Sequence, residues 1–314
     1  MPLWTIVHRM ARDVRSLGYG DMTMRPRLKA IGIGGAGCNT ITGFPLPSVG
    51  LCSPLDHLNG PSNQRRLVLS DEEVSSLRSP FSHLLSSMDR TFLRRLKAEV
   101  DGYDLIFLFA GLGGETGSHI TPGLAHLCRR MGSLVVASVT LPFSAEGSGR
   151  RETAAKALPT LIGAAHLTVT YPNDGLIRVA PNLPLRRTFK VMDNIMTVPP
   201  QDLAGVLTRG DLKMLRAEIA SGGHMRMGAG AGMGMQKERV AVSEAFSSPW
   251  FDFDLDNARL ALVIISGRGV DQFSVEEVLG HVEARVPGAK IRYGVRSDPS
   301  LENLRVTILL DGAP

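Results

Sequence analysis

From residue 26 onward, short continuous apolar runs alternate with longer stretches of helical periodicity. Four runs, Leu28–Ile33, Asp104–Ala110, Ser133–Thr140 and His166–Tyr171, are rich in Val, Ile, Leu or Phe. Such continuity predicts strands buried on both faces. Helical spacing predicts helices near 89–100, across 117–131 and across 150–163. The alternation implies a doubly wound α/β domain built on a parallel sheet. Right-handed crossovers would align the strand-end loops along one sheet edge, where ligands usually sit.

The flanking regions read differently. Leu3, Ile6, Val7, Met10, Val14 and Leu17 recur at helical spacing, with Arg9, Arg12 and Arg15 falling largely on another side. Gly18 and Gly20 end that helix, so residues 1–24 form an N-terminal arm ahead of a first domain over 25–185. Residues 186–208 make a central segment. Pro199 and Pro200 within it argue against a single straight helix. Residues 209–314 predict helices near 211–220, 236–246 and 272–286, and strands at 259–265, 289–295 and 303–310. They imply a smaller C-terminal α/β domain with a mixed or parallel sheet. The Gly- and Met-rich stretch Gly222–Met235 reads as a loop. The chain stops just after its last predicted strand, and no disordered tail is expected.

Composition narrows the class. Charged residues at 21 % and hydrophobic residues at 43 % of 314 are ordinary for a soluble globular protein. No apolar run approaches the roughly eighteen residues of a membrane span, and no secretory signal is visible. Cys38, Cys52 and Cys128 have neither metal-ligand spacing nor a disulfide framework, which points to a reducing cytoplasm. The histidines lack ligand spacing too. His126 and Cys128, two apart on a predicted helix, point away from each other, so no metal site is expected. A net charge of +5 permits anionic partners without demanding nucleic acid.

Two glycine-rich loops carry the candidate chemistry. Gly32-Ile33-Gly34-Gly35-Ala36-Gly37-Cys38-Asn39-Thr40 follows a strand and opens a helix. Glycines there allow a tight turn and bring backbone amides to phosphate oxygens. The stretch satisfies G-x-G-x-x-G, and Asp56 lies where a ribose-binding acid would sit in a dinucleotide fold. Taken alone, it would suit an NAD-dependent oxidoreductase. A second such loop, Gly111-Leu112-Gly113-Gly114-Glu115-Thr116-Gly117-Ser118, follows the strand Asp104–Ala110, with Thr116 placed to donate a hydroxyl to a phosphate. Two loops on one sheet edge suit a mononucleotide gripped from both sides.

In this pairing the sequence resembles the FtsZ/tubulin superfamily, in an archaeal-type form. Gly34-Gly35-Ala36-Gly37-Cys38-Asn39-Thr40 is similar to the family's first loop, and Gly113-Gly114-Glu115-Thr116-Gly117-Ser118-His119 to its signature loop. Thr140-Leu141-Pro142-Phe143-Ser144-Ala145-Glu146-Gly147 with Arg150 resembles the ribose loop, which implies ribose contacts from Glu146 and Arg150. Tyr171-Pro172-Asn173-Asp174 implies that Asn173 meets the base. Phe189 falls where the family stacks an aromatic on guanine, and Asp193-Asn194 resembles its guanine-reading pair in reversed order. Ser247-Ser248-Pro249, Asp254-Leu255-Asp256-Asn257-Ala258-Arg259 and Ser297-Asp298-Pro299 extend the likeness into the second domain. The resemblance covers roughly residues 28–311 and implies a GTP- or GDP-binding cytoskeletal protein of cell division. It implies partners that are copies of itself or an FtsZ paralogue.

Three departures bear on chemistry. Glu115 and His119 replace glycines of the signature loop, and a carboxylate beside a triphosphate is repulsive unless a cation such as Mg²⁺ intervenes. The stretch Ser79–Arg90, equivalent to the family's phosphate-sensing loop, has no glycine. The acidic loop that in the family completes the neighbouring subunit's active site is about seven residues short by family pattern. Only Asp211 could stand in for its last carboxylate, acting in trans. Impaired hydrolysis is therefore expected. A nucleotide-free interaction protein on the same fold is the main alternative. The arm over 1–17 is expected to pack on the first domain, with attachment to a membrane surface at the division site as the other reading.

Overall fold

The computed structural model describes residues 24–56, 58, 65–77, 90–179, 181–182, 184–219 and 223–311. The predicted arm helix, and the glycine-free stretch apart from Arg90, lie outside them. The described chain runs β1 (Leu28–Ile33), α1 (Gly34–Thr40), β2 (Ser48–Cys52), β3 (Arg66–Val68), α2 (Asp71–Leu77), α3 (Arg90–Val100) and β4 (Leu105–Gly111). Next come α4 (Glu115–Arg130), β5 (Leu134–Leu141), α5 (Ser148–Ala164), β6 (Leu167–Pro172), α6 (Gly175–Val179), α7 (Leu185–Val206) and α8 (Arg209–Glu218). The remainder is β7 (Gly223–Gly232), α9 (Lys237–Phe246), β8 (Leu260–Gly267), α10 (Gln272–Glu283), β9 (Lys290–Ser297) and β10 (Leu304–Asp311).

All ten strands join one sheet in the order β3-β2-β1-β4-β5-β6-β7-β10-β8-β9. From β3 through β7 every pairing is parallel. Strand β10 then runs antiparallel to both β7 and β8, and β8 pairs with β9 in parallel. Four strands of the first half, β1, β4, β5 and β6, match the apolar runs, because strands covered by helices on both faces need no polar face. The second half is mixed and continues the first sheet through the β6–β7 pairing.

Three buried clusters hold the layers. Ile31, Leu108, Val135 and Val139 of the sheet pack against Phe92 and Leu96 of α3 and Ile120 and Leu124 of α4. On the other face, Phe107, Phe109 and Val136 meet Met192, Met196 and Leu203 of α7, and the same cluster runs on to Met225, Met227, Ile264 and Leu309. Helix α7 therefore shares one core with both halves of the sheet. Behind the second half, Ala241 and Ala245 of α9 and Val278 and Val282 of α10 cover Val263, Ile265, Val306 and Ile308.

Two expectations are overturned. Helix α7 is continuous from Leu185 to Val206 although it contains Pro199 and Pro200. Pro200 has no N–H to offer the Met196 carbonyl one turn back. The Ser138 hydroxyl of β5 donates to that carbonyl at 3.0 Å and satisfies it instead. At its far end α7 is tied down by Asp202, which is fully buried and accepts Arg296 Nη1 at 2.9 Å, Thr307 Oγ1 at 2.7 Å and the Arg305 guanidinium.

The stretch expected as a loop is mostly strand β7. Its glycines alternate because α9 lies directly on that face. A Cβ would come within 2.1 Å of Ala245 O at Gly228, 2.1 Å of Ala241 O at Gly230 and 1.9 Å of Lys237 O at Gly232. Met225 and Met227 are buried in the core shared with α7.

Candidate functional site

The loops following β1, β2, β4, β5 and β6 stand side by side on one edge of the sheet, as parallel topology requires. Together with α7 they enclose a cleft of about 910 Å³.

The two glycine loops meet at its floor. Helix α1 starts directly after β1, with Gly34 at φ 69°. A Cβ there would lie 3.3 Å from the Gly117 amide nitrogen and 3.4 Å from Thr116 Cβ. After β4, Gly113 turns the chain at φ 99°, and its N–H donates to Ser118 Oγ at 2.8 Å. Gly114 then caps α4, whose first turn carries Glu115 and Thr116. Thr116 is buried, with its hydroxyl 3.5 Å from Ser53 Oγ. His119, one turn on, bonds through Nδ1 to the Glu115 carbonyl at 2.7 Å.

Gly37 and Gly117 set the packing beneath. A Cβ at Gly37 would fall 2.0 Å from Phe109 O, and one at Gly117 2.3 Å from Gly111 O. Gly34, Gly35, Ala36, Asn39, Gly114, Glu115, Thr116 and Gly117 line the cleft, whereas Gly37 and Gly113 do not. Gly37 seats α1 against β4 and Gly113 makes the turn, so both shape the cradle from behind.

The wall after β5 is fixed by carboxylates. Glu146 Oε1 accepts the Phe143 N–H at 2.8 Å, and its Oε2 pairs with Arg150 Nη1 at 2.7 Å. Asp174 accepts the Ser144 N–H at 3.1 Å, joining this turn to the loop after β6. Asn173, in that loop, is only 6 % exposed, and its Oδ1 has no hydrogen-bond partner among the described residues. An orphaned buried acceptor in a cleft wall calls for a donor from a ligand.

Helix α7 closes the opposite side. Phe189 is 41 % exposed and stands edge-on to Phe143, with ring centroids 6.0 Å apart. Asp193 accepts the Thr40 hydroxyl at 2.8 Å. Burial pushes its carboxyl above the ordinary aspartate value, while the Thr40 hydrogen bond and Lys190 pull it back. Thr40, Asp56, Arg187 and Lys190 also line the cleft. Sequence reasoning gave none of them a role there beyond Asp56 in the dinucleotide reading. Thr40 lies 153 positions from its partner Asp193, a separation no local pattern reveals.

Asp211 lies elsewhere. Helix α7 ends at Val206 and α8 begins at Arg209, so only Leu207 and Thr208 connect them. Asp211 closes a capping box: one of its oxygens accepts the Thr208 N–H at 2.8 Å and the Thr208 hydroxyl at 2.7 Å. It borders a small apolar recess between α7, α8 and strands β8 and β9, and does not line the nucleotide-sized cleft. No described helix is long and apolar enough to cross a membrane.

Residues 59–181 match the Tubulin/FtsZ family, GTPase domain, and residues 223–313 match the FtsZ family, C-terminal domain. The cell division protein FtsZ 1 of Pyrococcus horikoshii is 30 % identical over 304 residues, covering 92 % of this chain and 82 % of that protein. Its counterpart in Archaeoglobus fulgidus is 33 % identical over 300 residues, covering 90 % and 81 %. Among solved structures, the empty FtsZ dimer of M. jannaschii superposes with a TM-score of 0.78 at 26 % identity, over 97 % of this chain and 92 % of that one. The GDP-bound CetZ1 monomer of Haloferax volcanii shares the fold at a TM-score of 0.71 and 20 % identity, over 92 % and 94 %. The dinucleotide-enzyme reading falls with these matches: the chain belongs to the Tubulin/FtsZ family.

Proposed function

We propose that this chain is a guanine-nucleotide-binding cytoskeletal protein of cell division that holds its nucleotide and hydrolyses it poorly. Its relatives carry the name of cell division proteins, and the cleft offers what a guanine nucleotide needs. Guanine presents N–H donors on its Watson–Crick edge, and the orphaned Asn173 Oδ1 and the Asp193 carboxylate are acceptors for them. Phe189 supplies a face for stacking. Glu146 and Arg150, paired on the wall after β5, would meet the ribose, and the amides of the two glycine loops would serve the phosphates. If Mg²⁺ accompanies a triphosphate, Asp56 and Glu115 are carboxylates available to it.

The observation that carries the catalytic part is the two-residue link between α7 and α8. A connection of that length has no room for an acidic loop reaching a neighbouring subunit, and Asp211 is engaged as a helix cap. Without a positioned carboxylate to orient water, turnover loses its main component. Such a subunit would join or regulate filaments of itself or of an FtsZ paralogue in the cytoplasm, with residues 1–17 as a membrane-attachment candidate. One of the fold neighbours is a GTPγS-bound CetZ2 protofilament.

Glu115, inside the signature loop, favours a second reading in which the fold has lost nucleotide and serves only as an interaction surface. Isothermal titration of the full chain with GDP, GTP and ADP separates the two. The first reading expects guanine nucleotides to bind and ADP to bind about ten-fold or more weakly, with Asn173→Ala reducing that discrimination. No binding of GDP or GTP at high micromolar concentration would select the second.

A further inference from the structure

The spatial order of the strand-end loops gives the cleft a direction. Reading across the sheet edge, the loops follow β6, β5, β4, β1 and β2. Four strand spacings separate the first from the last, roughly 19 Å. The base-recognising groups stand at the β6 end, where Asn173 is buried and its Oδ1 is unpartnered. The glycine amides occupy the β4 and β1 positions in the middle. Beyond them, at the β2 end, stands Asp56.

Asp56 is held there by its own loop. Its Oδ2 accepts the Ser53 N–H at 2.7 Å. Its Oδ1 lies 3.7 Å from where a Cβ on Gly34 would be, the same point that is 3.3 Å from the Gly117 amide. A carboxylate oxygen therefore sits at the junction of the two phosphate loops. Glu115 adds a second carboxylate from the first turn of α4, with His119 Nδ1 3.8 Å from its Oε1. The cations lining the cleft among the described residues are Arg150, Arg187 and Lys190, on α5 and α7. None comes from the loops after β1, β2 or β4. Arg150 is moreover paired with Glu146.

On the guanine-nucleotide reading a diphosphate would end over the backbone amides, and a third phosphate would carry its charge closer to Asp56 and Glu115. Like charges at such range repel, and more strongly inside a cleft than in bulk water. We propose that Asp56 and Glu115 make this a diphosphate-selective site, which admits a triphosphate only together with a divalent cation. The inference rests on the guanine-nucleotide reading above and adds the identity of the preferred ligand.

The test is isothermal titration of nucleotide-stripped full-length chain with GDP and GTP, in EDTA and in Mg²⁺. In EDTA, GDP should bind at least about ten-fold tighter than GTP, about 1.4 kcal/mol. Mg²⁺ should reduce that ratio to about three-fold or less. Asp56→Asn keeps an oxygen for the Ser53 N–H, so the loop should survive. Combined with Glu115→Gln, it should bring the EDTA ratio close to one, with an unchanged melting temperature as the check on folding. Equal or tighter binding of GTP in EDTA would overturn the inference alone, as would an unchanged ratio in the folded double variant. Failure of both nucleotides to bind would overturn the guanine-nucleotide reading and this inference together.

Discussion

The loop edge of the sheet and the corner between α7 and α8 are built in opposite ways. At the loop edge, the loops after β1, β2, β4, β5 and β6 all contribute to one cleft, and the tightest packing is backbone on backbone. At the corner the connection is only Leu207 and Thr208, and the nearby acid Asp211 closes a helix cap. The cradle for a nucleotide and the residues that would act on a neighbour's nucleotide therefore occupy separate regions joined by α7. Holding and cleaving can be altered independently when different loops supply them. On the proposed reading, the cleft supports binding and the two-residue corner argues against turnover.

Variants can break this separation or sharpen it. The largest effect is expected at the tie between α7 and the second half of the sheet. Asp202→Ala leaves Arg296 and Arg305 without their buried partner and should cost about 4 kcal/mol in denaturant unfolding. In the surviving folded fraction, nucleotide affinity should stay within about two-fold; a larger loss would mean that cleft and corner are coupled. Gly117→Ala attacks the other region. The added methyl meets Gly111 O, so the first turn of α4 must move off the end of β4 and distort the second glycine loop, at about 3 kcal/mol and with loss of nucleotide binding by calorimetry. Retained affinity in that variant would show that the loops are not the cradle.

A smaller effect should appear with pH. His166 immediately precedes β6, and its Nδ1 accepts the Val135 N–H at 3.0 Å. Burial, then Arg129, then Arg216 of α8, lower its pKa from 6.5 to about 4. The unfolded chain therefore takes up the proton first. Its contribution is complete above pH 6.5 and is lost as pH falls toward 4, a loss of about 2 kcal/mol by pH 5. His166→Asn should flatten that part of the stability profile; an unchanged slope would place the titration elsewhere. The smallest effect belongs to Asp211→Asn, which weakens one capping box by about 1 kcal/mol and should leave guanine-nucleotide binding unaltered.

Much of this arrangement could be read from residues alone, for identifiable reasons. Strands β1, β4, β5 and β6 are continuous apolar runs, and their expected limits fall within one residue of those observed. Strands β2 and β3 escaped notice because they are short, and β2 follows the proline-rich run Phe44-Pro45-Leu46-Pro47. Helix α7 looked doubtful because a proline normally orphans a carbonyl. The Ser138 hydroxyl that satisfies it lies 58 positions away. The glycines of β7 looked like flexibility, yet their period of two is the imprint of α9 lying on the strand. In the cleft, the motif residues stood out in the sequence. The Thr40–Asp193 bond, the orphaned Asn173 oxygen and the position of Asp56 needed the folded chain.

The central claim is a site that holds a guanine nucleotide without efficient turnover, and phosphate release at saturating Mg²⁺–GTP tests it most directly. The full-length chain should be followed over a range of protein concentrations, with bound nucleotide measured in the same samples. The account predicts an occupied site and a rate per subunit that stays near background and does not rise with concentration, because the two-residue corner, with Asp211 engaged as a cap, offers a neighbour no acid to orient water. A rate that climbs with concentration and disappears in Asp211→Asn would contradict it.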